Sequence, residues 1–153
     1  MVYDNLLIES EDAGLVVKEK RLYNNDGLIS GERIAIRNTI PTTAQKCCVL
    51  AEELGHHYTT AGNILDQTAT INRKQEYKAR LWAYDKLIGL QGLIHAYAHG
   101  CKTWNETADF LEVSEEFLRE AVDCYRSKYG VYVEIDNYLV YFIPVYNVLK
   151  IID

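Results

Sequence analysis

The chain has 153 residues, with 16 Lys and Arg against 22 Asp and Glu, a formal net charge of −6 and 48% hydrophobic residues. These fractions suit one globular domain, or one domain with a small appendage, and exclude a disordered polymer. No apolar run approaches the roughly 18 to 20 residues of a membrane span. The start, MVYDNLLIESED, lacks the basic and apolar regions of a secretion signal. A net acidic chain is also poorly suited to gripping phosphate backbones. Cys47, Cys48, Cys101 and Cys124 form no C-x-x-C pair, so reduced, mostly buried thiols in a cytoplasmic protein are expected.

Residues 3–12 predict a short amphipathic helix ending near Gly14, followed by a valine-bearing run over 15–18. Tyr23-Asn24-Asn25-Asp26-Gly27 is a turn signal through its Asp-Gly pair, and Gly31 marks a second turn within strand-like residues 28–37. A sheet of about three strands is therefore expected before the first long helix. Pro41-Thr42-Thr43 announces that helix through a threonine cap, and it should run to about Thr59, stopping before Gly62-Asn63. A polar stretch over 63–72 leads to a second long helix from about Arg73, with Glu76, Ala79, Trp82, Ala83 and Leu87 at helical spacing. Gly89 and Gly92 are expected to interrupt it, and 93–99 adds a further turn or two. Two more helices are predicted, over 105–111 and from a cap at Ser114. Residues 129–152 alternate around Asp136-Asn137 and predict a β-hairpin. This order of elements is α+β.

The first long helix carries the chemistry. Ala44, Cys47, Cys48, Val49, Leu50 and Ala51 make its first half apolar nearly all round, as in a central, buried helix. Glu52, Glu53, His56 and His57 then follow, and ionisable groups in such a place need pairing or a metal. Glu52 and His56 are four apart and can reach the same ion. Glu53 projects beside them, where the intervening Glu of H-E-x-x-H acts as general base. Here Glu52 takes the first histidine's place, giving E-E-L-G-H. A second register pairs Glu53 with His57 but leaves no Glu placed as base. In the competing interpretation, Glu52 and Glu53 are solvated charges and the histidines simply suit the helix end.

The segment LAEELGHHYT resembles the active-site helix of the ImmA/IrrE-type metallopeptidases, a family of phages and integrative elements. Their next helix bears a glutamate in a pattern close to E-x-x-A-x-x-aromatic-A. Glu76-Tyr77-Lys78-Ala79-Arg80-Leu81-Trp82-Ala83 fits that pattern, with Leu87 and Ile88 after it. The resemblance implies a small N-terminal sheet packed on a zincin-like pair of active-site helices. It assigns His56 and Glu76 to metal binding, Glu52 to a ligand position usually held by His, and Glu53 to general base. It implies Zn2+, or another divalent metal, and hydrolysis of a repressor-like protein substrate. With Glu52, the ligand set carries a formal charge of about −2 rather than about −1, which lowers the ion's Lewis acidity. The alternative is a catalytically weak relative acting as a protein-binding anti-repressor. Tyr58, Tyr84, His95 and His99 are candidates to stabilise the oxyanion. The His95/His99 pair lacks a nearby acidic partner and suggests a helix end rather than a second metal site.

Residues 103–125 have helix-turn-helix spacing, but charge decides against DNA. Lys102 and Arg119 face Glu106, Asp109, Glu112, Glu115, Glu116, Glu120 and Asp123, so 102–124 alone carry −5. A plain helical pair closing the core is expected instead. Tyr129, Tyr132, Tyr138, Tyr141 and Tyr146 are strand tyrosines, expected to pack on the helices. The expected organisation is a peptidase core over 1–100, with the helical pair and hairpin of 101–153 packed on it as one domain. No direct nucleic-acid or membrane partner is expected.

Overall fold

Tyr3, Leu6 and Ser10 recur on one face of the first helix, α1 (Val2–Asp12), and are its buried residues. The Ser10 hydroxyl donates to the Leu6 carbonyl at 2.7 Å, so this polar group is satisfied inside the core. The computed structural model of the chain describes residues 1–60 and 69–152. Among the described residues there are six helices and two three-stranded sheets, an α+β fold. The chain divides into two compact units, Met1–Ala83 and Tyr84–Asp153.

In the first unit, β1 (Val16–Lys20), β2 (Gly27–Ser30) and β3 (Arg33–Arg37) form a sheet in the order β1-β3-β2. β1 runs parallel to β3 and β2 antiparallel to it. Alternation sends Ile34 and Ile36 inward, at 2% and 0% exposure, beneath α2 (Thr43–Thr59). The expected three-strand sheet is present, although Gly27 opens β2 rather than occupying the turn. Thr42 caps α2, its side chain accepting from the Gln45 backbone N–H at 3.1 Å. The helix ends at Thr59, as its sequence predicts. Most of the polar stretch predicted over 63–72 lies outside the described residues. α3 (Ala69–Leu87) nevertheless begins earlier than Arg73.

In the second unit, α4 (Gly89–His99) starts at Gly89, and Gly92 lies inside it, so only the first glycine interrupts. α5 (Trp104–Leu111) and α6 (Glu115–Tyr129) are capped by Thr103 and Ser114, whose side chains accept from the N–H groups of Glu106 and Phe117. α6 buries Phe117, Leu118, Ala121, Val122 and Tyr125. The predicted C-terminal hairpin is corrected to a three-stranded antiparallel sheet, β4 (Tyr132–Ile135), β5 (Tyr138–Tyr141) and β6 (Asn147–Lys150). Asp136 takes a left-handed φ of 54° in the hairpin turn, as Asp tolerates. The third strand escapes a reading by alternation because Pro144 precedes it and its outer residues are mixed in polarity.

Candidate active site

α2 changes character along its length. Its first half buries Cys47, Cys48, Leu50 and Ala51, whereas Glu52, Glu53, His56 and His57 are half-buried. All four line one open cleft of about 970 Å³, together with Glu76 of α3 and residues of the β2 region. His56 Nε2 stands 3.3 Å from Glu76 Oε1. Arg80, one turn along α3, brings its Nε to 3.9 Å from the other oxygen of Glu76. Glu52, one turn before His56, faces the same cleft.

Two glycines make this arrangement sterically possible. A Cβ on Gly55 would fall 2.2 Å from the Ala79 carbonyl oxygen, so α2 and α3 meet there backbone to backbone. Ala79 and Ala83 are both fully buried, and Glu76 lies one turn from Ala79. The small residues of E-x-x-A-x-x-aromatic-A therefore bring Glu76 within reach of His56. At the cleft's other wall, a Cβ on Gly27 would lie 2.7 Å from Val49 Cγ1 and 3.0 Å from Glu53 Oε1. A bare backbone at 27 lets β2 lie directly against Glu53. Burial pushes the Glu53 carboxyl up to about 7, and the charges of Glu52 and then Glu76 add to the shift.

Two carboxylates and an imidazole around one cleft are suitable donors for a divalent cation. Of the three, His56 and Glu76 are directly adjacent. Among the described residues, no group of three His, Cys, Asp or Glu side chains converges closely enough to hold an ion. Donor type thus suits a metal, and His56 with Glu76 supplies an adjacent pair, but Glu52 does not converge on them.

None of the residues considered for oxyanion stabilisation is among those that line the cleft. Tyr58 stacks on Trp82 with ring centroids 5.2 Å apart and does not line the cleft. Tyr84, His95 and His99 belong to the second unit, where the Tyr84 hydroxyl donates to Glu120 at 3.4 Å and His99 stacks on Phe110 at 4.7 Å. His57 does line the cleft, its ring edge-on to Tyr58 at 4.8 Å. Asn25, Asn72 and Gln75 also line it, without a sequence signal beyond being polar.

The family profile of the IrrE N-terminal-like domain, Peptidase_M78, matches residues 5–123. The chain belongs to the ImmA/IrrE family. Comparison with curated proteins and with solved structures finds no match. ImmA/IrrE proteins form a metallopeptidase family, typically metal-dependent, and the matched stretch takes in every residue lining this cleft. No helix among the described residues is long and apolar enough to cross a membrane.

Proposed function

We propose that the chain is a phage- or mobile-element-type metallo-endopeptidase that cleaves a repressor-like regulatory protein in the cytoplasm. The observation that carries this reading is the sharing of one cleft by Glu52, Glu53, His56 and Glu76, with His56 and Glu76 3.3 Å apart. Glu52, His56 and Glu76 would hold Zn2+ or another divalent ion, on a zincin-like pair of helices. Such an ion polarises a scissile carbonyl and acidifies water when bound. Glu53 then takes the proton from the attacking water and delivers it to the leaving amine. β2 pairs only with β3 among the described residues, which leaves its outer edge able to hold an extended peptide as an added strand. Residues 1–100 carry the chemistry in this scheme, and 101–153 support it.

The test combines metal analysis with cleavage of a repressor-type substrate. Stoichiometric metal, with cleavage abolished by Glu53→Gln, is expected. A metal-free protein whose biological effect survives Glu53→Gln would overturn the reading. That second outcome defines the competing function, a protein that acts on a regulator by contact alone. It is favoured by Glu52 standing in a histidine's place and by the absence of a third donor converging on His56 and Glu76 among the described residues.

A further inference from the structure

The outer face of the first sheet is basic in an acidic chain. Alternation along β1 sends Glu19 to the helix side of the sheet, where it stays partly exposed and pairs with Lys46 of α2, and turns Lys18 and Lys20 to the other side. The register sets Val16 beside Arg33 and Lys18 beside Ala35, with Leu28 of β2 on the other side of Ala35. Val16, Lys18, Lys20, Leu28 and Arg33 line one shallow groove of about 350 Å³, and no carboxylate lines it. Arg37, in register with Lys20, is already paired with Asp26. Among the described residues, Lys18, Lys20 and Arg33 have no ion-pair partner. Val16 and Leu28 are 48% and 47% exposed between these cations.

We propose that this face docks an acidic amphipathic helix of a partner protein. The opposite face of the sheet is covered by helices α1 and α2, whereas Val16 and Leu28 on this face stay about half exposed. Two strand spacings make the face about 10 Å wide, the diameter of one helix, and five-residue strands match about three helical turns. The cations complement Glu or Asp on the flanks of such a helix, while Val16 and Leu28 complement its apolar stripe. Duplex or single-stranded nucleic acid fits less well, because no aromatic ring lines the groove and phosphates would leave the apolar side chains unused. The chain's own acidic helix α6 has no apolar stripe to offer, since Phe117, Leu118, Ala121 and Val122 are already buried. The docking surface is independent of the peptidase reading, and a hydrolytically dead protein would retain it.

Fluorescence anisotropy tests this with a labelled synthetic peptide about two heptads long, carrying Leu on one helical face and Glu on the others. The full chain should bind it, and raising the salt should weaken binding severalfold. The combined variant Lys18→Glu, Lys20→Glu, Arg33→Glu should lose at least tenfold in affinity. Val16→Ser, which leaves every charge in place, should lose severalfold and guards against a misfolded triple variant. The proposal is overturned if the peptide does not bind, or if Val16→Ser and the triple variant both bind it like the parent. Tighter binding of phosphatidylserine vesicles or of duplex DNA than of the peptide would also overturn it.

Discussion

Gly55 and Ala79 touch through their backbones: a Cβ on Gly55 would sit 2.2 Å from the Ala79 carbonyl oxygen. This contact, more than any polar interaction, determines how near Glu76 comes to His56. Gly55→Ala must push α3 away, because backbone cannot swing aside as a flexible side chain can. Overpacking of this kind costs about 1–3 kcal/mol. The expected result is a lower melting temperature together with at least tenfold weaker metal binding, measured by competition with a chelator. Unchanged metal affinity in a destabilised protein would show that the helix contact does not control the ligands.

Glu53→Gln keeps the shape of the side chain under Gly27 and removes only its basicity. Hydrolysis should fall by about 10²–10⁴-fold, with metal content unchanged. His56→Ala and Glu76→Ala should instead lose the metal itself. Single-turnover cleavage alongside metal analysis separates the two patterns.

In the proposed ligand set, Glu52→His would give two histidines and one glutamate and lower the formal ligand charge from about −2 to about −1. Zinc affinity and cleavage rate should both rise, each by about tenfold or more. A drop in zinc affinity would mean that Glu52 is adapted to a harder metal, which manganese titration would reveal.

Alkaline pH should destabilise the chain through its buried phenols. Burial, with Glu19 nearby, pushes Tyr3 up to about 12, and burial also raises Tyr125 and Tyr146. A phenol in the unfolded chain ionises near pH 10. The unfolded state therefore releases its protons first, and stability that is complete below about pH 10 is lost as the pH climbs through the folded values. Urea unfolding followed by phenolate absorbance should show midpoints falling steadily above about pH 10. Tyr3→Phe should flatten the early part of that fall.

The sequence carries the fold unevenly. Thr42 and Ser114 mark helix starts by local hydrogen bonding, so these ends can be read without tertiary information. The E-E-L-G-H spacing identifies the cleft residues of α2 because helical periodicity sets which faces they share, whereas Glu76, on another helix, is reached only through the family resemblance. The reason Gly27 and Gly55 are glycines is long-range, and no local pattern expresses an approach between β2 and Glu53 or between α2 and Ala79. The register that pairs Glu53 with His57 ranks lower in the sequence because it leaves no Glu as base, yet the cleft is wide enough to include both histidines. Strand β6 has only Val148 buried, too little apolar content for an alternating pattern to stand out.

The family match ends at residue 123, partway along α6 (Glu115–Tyr129). A chain cut at that point would keep Phe117 and Leu118 but lose Tyr125, a fully buried ring whose hydroxyl donates to Asp85 at 2.9 Å. It would also lose Phe142, whose ring lies 6.4 Å from that of Tyr125 and whose carbonyl accepts from Arg126 Nε at 2.8 Å. The limit of family likeness therefore falls inside a cooperative folding unit, and trimming to it would expose the interior of the second unit. Inhibitor screens or crystallisation on this protein should accordingly retain the tail through β6.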